Sequence, residues 1–321
     1  MIPIVLASTL TDRTRPVLDG RFPIPGVAIT HVADEPEIIF RRTLREAAFD
    51  VAELSMGSHI VTTARGDSRY TGIPVFLSRA FRHNAVWIRT DRGINGPGDL
   101  AGKTIALPEY QQTAALWVRG ILRDQHGVDT ASIKWRIVSE RIAITPPPGM
   151  DLAPLGETAD EALIAGRVDA FFGPRPPAGA LTAGAPVARL WPEPRAAEEA
   201  YHAATGFFPI MHCLTIRKDV AAANPDLPMA LFEAFCAAKN ASVREMMLGN
   251  VLRVSLPFSH YEAQEQSSLM GGNPWPYGLA RNRDEIAAMI RYAVADGLAA
   301  QPIAPEDLFH PSVLDAIDKG P

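Results

Sequence analysis

Two cysteines in 321 residues are too few for a disulfide framework. Cys213 and Cys236 also lack the C-x-x-C spacing of zinc or redox sites, which leaves them as small core residues. Long apolar runs are missing: proline or charge breaks each one well below the roughly 20 residues of a spanning helix, so no membrane partner is expected. Basic excess is absent too. With 31 Lys and Arg against 36 Asp and Glu, a formal net charge of −5 and no basic stripe, nucleic acid is excluded as a partner. No glycine-rich phosphate loop occurs, and no short His, Asp or Glu spacing matches a metal-ligand motif, so neither cofactor nor metal is expected. The chain starts with a strand-like run at residues 2–6, without a basic n-region or a small-residue cleavage site, which predicts a cytoplasmic protein.

What is present reads as an α/β protein. Apolar content of 47% with 21% charge is ordinary for a globular chain, and 321 residues exceed what one core serves, so two domains are expected. Residues 2–6, 51–54, 73–76, 86–88, 104–107 and 213–217 read as strands, and 166–172 as a turn into a buried strand. Helical spacing covers 37–48 and 160–165, and another helix carries Leu227, Leu231, Ala234 and Ala238 on one face behind the cap Asn224-Pro225-Asp226. A last helix starts at Asp284. The helix beginning near Gln111 is apolar on most faces between Ala114 and Leu122, which places it between layers. Strands alternating with helices imply sheets with parallel pairings.

Four stretches set basic, amide or aromatic side chains beside glycine or proline, where loops are built: SRAFRH ending at His83, PEYQQTAALWVRG (108–120), TGFFPIMH (205–212) and NPWPYGLARNR (273–283). They read as one polar, cation-rich pocket. Their setting resembles the two-lobed type 2 periplasmic-binding-protein fold, mostly parallel sheets flanked by helices with the ligand cleft between lobes. FDVAELSMGS (49–58), DLAGKTIALPEY (99–110) and ALIAGRVDAFF (162–172) carry that resemblance. It implies a discontinuous first lobe, 1–90 with 209–321, and a second lobe, 91–208. The longer phrases DRTRPVLDG (12–20), IPVFLSRAFRH (73–83), PEYQQTAALWVRG, TGFFPIMH and PWPYGLARNR resemble the 4,5-dihydroxyphthalate decarboxylase family. The likeness spans nearly the whole chain and is weakest at 136–160.

The resemblance implies a decarboxylase that removes one carboxylate from 4,5-dihydroxyphthalate or a close aromatic dicarboxylate, giving 3,4-dihydroxybenzoate (protocatechuate) and CO2. Direct loss of CO2 would leave an sp2 carbanion that the π system cannot stabilise. The route is therefore ipso protonation, which needs a proton donor, a cationic clamp and an acceptor for the phenolic proton. His212 is the first candidate acid or base, because histidine can both donate and accept near neutrality; Glu109 is the second. Arg79, Arg82 and His83 form the candidate clamp, with Arg13 and Arg15 as alternates. Backbone amides at Ser55, Gly57 and Ser58, and at Gln111, Gln112 and Thr113, fall where strands hand over to helices and could hold a carboxylate. Trp275 and Tyr277 could stack on the ring, and His59 could face the cleft. Two other readings share the fold: an aromatic-acid solute-binding protein without chemistry, and another lyase resembling chorismate dehydratase. A homo-oligomer stays open.

Overall fold

The computed structural model describes all 321 residues, and its chain winds two sheets in succession. The first pass lays down β1 (Ile2–Ala7), the single-turn α1 (Arg15–Leu18), β2 (Val27–Val32), α2 (Pro36–Glu46), β3 (Val51–Ser55), α3 (Met56–Arg65) and β4 (Tyr70–Arg79). The chain then crosses and builds β5 (Val86–Arg89), β6 (Thr104–Leu107), α4 (Thr113–His126), β7 (Lys134–Ile137), β8 (Leu152–Pro154), α5 (Ala159–Ile164), β9 (Ala170–Phe172), β10 (Val187–Arg189) and α6 (Pro194–Thr205). β11 (Ile210–Arg217) brings it back, followed by α7 (Lys218–Ala223), α8 (Leu227–Met246), α9 (Ser259–Leu269) and α10 (Leu279–Ala295).

The first sheet has the order β2-β1-β3-β11-β4, with β1 parallel to β2 and β3 and the returning strand β11 antiparallel to both its neighbours. The second runs β10-β5-β9-β6-β7-β8; β6 is parallel to β7 and β9, while β5 is antiparallel to β9 and β10. The crossing strands supply these reversals. β5 hydrogen-bonds in the second sheet although the sequence grouped it with 1–90, so the outward crossing falls between Arg79 and Val86. Short apolar strands do not reveal which sheet will take them.

Local signals set the elements. α2 opens on proline at its first turn and closes at Ala47 in the left-handed region (φ 49°), and α4 closes at Gly127 (φ 63°). α4 is buried from Thr113 to Leu122, as its nearly continuous apolar surface predicts, and it joins the two halves. Trp117 Nε1 donates to the Ile210 carbonyl at 2.9 Å, and Arg119 Nε to Asp296 Oδ2 at 2.6 Å beyond the end of α10. One apolar core accordingly runs through the junction and includes Ile4, Phe76, Trp117 and Trp135. No helix is long and apolar enough to cross a membrane.

Candidate functional site

β3 is buried along its whole length, yet its centre is a carboxylate. Glu53 Oε2 accepts hydrogen bonds from the Thr9 amide (2.8 Å) and hydroxyl (2.7 Å) just beyond β1, and Oε1 accepts from His212 Nδ1 at 2.6 Å. Burial alone would push the Glu53 carboxyl up. The hydrogen bond and charge of His212, with the two Thr9 bonds, outweigh burial and hold it below the usual carboxylate range. An ionised Glu53 fixes the tautomer of His212, with the proton on Nδ1 when the ring is neutral. Nε2 then has no protein partner, and 18% of the His212 side chain is exposed. The ring stands edge-on to Phe40 of α2, with centroids 4.8 Å apart.

Beyond Phe40 a cavity of about 710 Å³ separates α2 from the second sheet. Its far wall is built at the carboxyl ends of β6, β7 and β9, where open α/β sheets place ligands: Pro108 and Glu109, Ser139, and Pro174. Four arginines (Arg41, Arg45, Arg141, Arg175) and four carboxylates (Glu37, Glu109, Glu140, Asp160) line it. The guanidinium of Arg141 lies 5.3 Å from the Phe40 ring centroid, so Phe40 stands between His212 and one residue of the cavity wall. Glu109 is buried and paired with Arg141 at 3.0 Å; burial pushes its carboxyl above the usual range, and the Arg141 charge offsets part of the rise.

Among the residues singled out by sequence, Glu109 and Gln112 line this cavity, while His212 lies on the other side of Phe40 and is not part of its wall. The proposed clamp does not assemble there. Arg79 is buried and both its terminal nitrogens are engaged, donating to the carbonyls of Phe208 (2.6 Å) and Pro276 (3.0 Å), to Glu285 (3.2 Å) and to Asn282, while its Nε has no partner. His83 is buried against Trp191 and Tyr201, and burial lowers its pKa to about 4. Arg82 donates to Met211 Sδ at 3.0 Å and pairs with no carboxylate; desolvation takes it down to about 10, and it does not line the cavity.

The two amide-bearing turns bind each other instead of framing a gap. Thr113 Oγ1 accepts from the Gly57 amide (3.0 Å) and meets Ser55 Oγ at 2.8 Å, while Ser55 Oγ caps the Ser58 amide. A Cβ at Gly57 would stand 2.6 Å from the Gln111 carbonyl, so only glycine permits this approach. Ser55, Gly57, Ser58, Gln111 and Thr113 therefore make a contact between the halves. Arg13 stacks 3.9 Å over Trp275 at a separate, largely apolar groove of about 640 Å³ that no residue of the second sheet reaches, and Arg15 is exposed. Trp275 is tied to the Phe76 carbonyl (2.7 Å), and Tyr277 is fully buried. Sequence reasoning missed Glu53, whose signal was a lone carboxylate in an apolar strand, and Arg141, which lies in the segment without a family phrase.

His59 faces the core, and its Nε2 donates to the Leu308 carbonyl at 2.7 Å. His59, His83 and His212 thus do not converge. Burial lowers the His59 pKa to about 4, against about 6.5 in the unfolded chain. Between those values the unfolded state binds a proton that the folded state refuses. Stability present at neutral pH is lost as pH falls through this window, by on the order of 3 kcal/mol from this group. Melting curves from pH 7 to 4.5 are expected to fall less steeply for His59→Gln than for the native chain. Parallel curves would show that His59 is not buried as a neutral ring.

No family model matches the chain. A 4,5-dihydroxyphthalate decarboxylase of Comamonas testosteroni is 39% identical over 316 residues, covering 95% of each chain. Another, from Pseudomonas putida, is 40% identical over 207 residues, 61% of this chain and 79% of that protein. Among solved structures, the periplasmic sulfonate-binding protein SsuA of Methylobacillus flagellatus KT superposes with a TM-score of 0.62 at 16% identity, over 98% of this chain and 93% of its own. That likeness shows the fold: two lobes of the periplasmic-binding-protein type, as the sequence phrases implied.

Proposed function

Because the chain belongs to the 4,5-dihydroxyphthalate decarboxylase family, we propose that it removes one carboxylate from 4,5-dihydroxyphthalate or a close aromatic dicarboxylate in the cavity between its lobes. The observation that carries the chemistry is the Glu53–His212 pair. A buried carboxylate with all its other bonds made holds one nitrogen and leaves the second free, the arrangement of an oriented proton donor. In the proposed reaction the hydroxyl para to the departing carboxylate gives its proton to solvent, and the phenolate pushes electrons to the ipso carbon. The doubly protonated His212 ring, with Glu53 as its counter-ion, gives its Nε2 proton to that carbon and is left with the proton on Nδ1; the ring-to-carboxylate bond breaks, and its electron pair restores aromaticity as CO2 leaves. The phenolate regains a proton from solvent and the His212 ring is reprotonated, so that net one proton is consumed and one C–H bond replaces one C–C bond. The cavity arginines favour a dianionic substrate and, gripping the carboxylate that stays, avoid stabilising the ground state of the one that leaves.

The lobes are taken as the discontinuous first and inserted second segments, with the outward boundary moved to residues 80–85. A cytoplasmic location is part of the proposal, in keeping with two free cysteines, and cell fractionation tests it. The decisive assay incubates purified protein with 4,5-dihydroxyphthalate and follows CO2 and 3,4-dihydroxybenzoate. One-to-one release is expected. Binding without release would make the chain a solute receptor, and release of water rather than CO2 from another cyclic dicarboxylate would make it a different lyase.

A further inference from the structure

The segment after β7 does not stay with its own lobe. It passes over the cavity to the first: the Glu140 carbonyl accepts from Arg45 of α2 at 3.4 Å, Arg141 packs on Phe40, and Pro147 seats on Gly297, where a Cβ would meet its ring at 2.1 Å. This strap brings Arg141 to Glu109, with both side chains under a tenth exposed. The contact is a single 3.0 Å approach of Nη2 to Oε2, and it is the one polar partner of Arg141. A guanidinium can engage a carboxylate by two parallel bonds, and here that fork is unfilled. Glu109 Oε2 is also shared with Gln111 Nε2 at 3.0 Å, and the neighbouring Gln111 Oε1 is buried without a partner.

We propose that Arg141 grips the carboxylate that the substrate keeps, that this carboxylate displaces Glu109 from the pair, and that Glu109 takes up a proton from solvent in exchange. The inference rests on reading the cavity as a site for an aromatic dicarboxylate. Four arginines face four carboxylates there, so a dianion brings an excess of two negative charges into a confined space. A carboxylate in the wall must protonate or be repelled. Three of them have other means of staying charged. Glu37 lies 3.9 Å from Arg175, Glu140 Oε1 accepts from the Ile144 amide at 2.9 Å, and Asp160 Oδ2 accepts from the Ala178 amide at 2.8 Å. Glu109 is buried and raised further by the charge of Glu37; the hydrogen bonds of Gln111 and Ser139 only partly offset this, and Arg141 is its counter-ion. Arg41 and Arg45 of α2 remain to balance the second carboxylate of the ligand.

Phthalate, which has both carboxylates but no hydroxyl to drive decarboxylation, is the probe. Its binding is titrated calorimetrically in two buffers of different ionisation enthalpy, with native protein, Glu109→Gln and Arg141→Met. The native chain is expected to take up close to one proton per phthalate. Glu109→Gln should take up almost none and bind about tenfold more tightly, because the competing anion is gone. Arg141→Met should bind at least tenfold more weakly, with Arg141→Lys between. A pair that merely latched the strap would give the opposite sign for Glu109→Gln, a weaker site and a lower Tm, and that result overturns the exchange. So does native binding without proton uptake, or no phthalate binding at millimolar concentration. CO2 release from 4,5-dihydroxyphthalate is followed separately. Turnover of 4,5-dihydroxyphthalate together with phthalate binding that takes up no proton sinks the exchange alone, whereas absence of turnover sinks the decarboxylase reading and leaves the phthalate titration to decide the exchange.

Discussion

Replacing His212 by asparagine is expected to lower turnover by about 100- to 10,000-fold while substrate binding stays measurable. Asparagine keeps a polar side chain able to bond Glu53 but cannot deliver a proton to carbon. Because Glu53 holds Nδ1 at 2.6 Å, the loss falls on Nε2 and on the chemical step rather than on affinity. A fall of less than tenfold in a protein with unchanged Tm, under about 1.4 kcal/mol in the barrier, would remove His212 as the donor. The same two measurements on Glu109→Gln would then test the other acid. Glu53→Gln supplies an independent arm. The amide keeps the shape but removes the carboxylate that orients the ring, so kcat should fall while KM stays nearly unchanged. If the pair were only a buried brace, Tm would drop and kcat of the folded protein would stay.

How far the sequence foretold this site depends on what kind of signal each residue leaves. Strong periodicity and uninterrupted apolar runs were legible: β1, α2, β6, the buried face of α4 and the helix ending in α10 lie where spacing put them, within a few residues. β2 and β7 were missed because VAITHV and KWRI alternate too briefly to stand out, α9 because its faces carry little apolar contrast, and α6 because its apolar face is built mostly of alanine. The candidate site was half legible. His212 was visible as a histidine on an apolar strand, but the partner that gives it direction lies 159 residues earlier and is joined only by the β3–β11 register. Arginines misled the reading. Arg79, Arg82 and Arg141 are equal as letters, and only packing separates a buried hub of four bonds from a cation without a carboxylate and from one with a single ionic contact. Facing amide turns misled it too, since a glycine that permits close approach to a ligand permits the same approach to the opposite lobe.

Arg79→Ala is expected to cost folding, not affinity. The guanidinium sits 1% exposed at the end of β4 and gives its protons to Glu285, to Asn282 and to two backbone carbonyls. Removing it leaves Glu285 as an uncompensated buried charge, a change that costs about 3–5 kcal/mol, against a total of about 5–15 kcal/mol for a typical domain. The damage would reach the site, because Glu285 Oε1 also accepts the Ile210 amide at 2.6 Å and so fixes the start of the strand that carries His212. Low soluble yield or a strongly reduced denaturation midpoint is the expected result. Arg79→Lys keeps the charge but cannot reproduce the fork, so it should fall between native and alanine. The double change Arg79→Met with Glu285→Gln should recover part of the loss, since a buried pair replaced together strands no charge. If instead the alanine variant melts within a few degrees of native and binds phthalate at least tenfold more weakly, Arg79 contacts the ligand, and the clamp lies at β4 rather than on the strap.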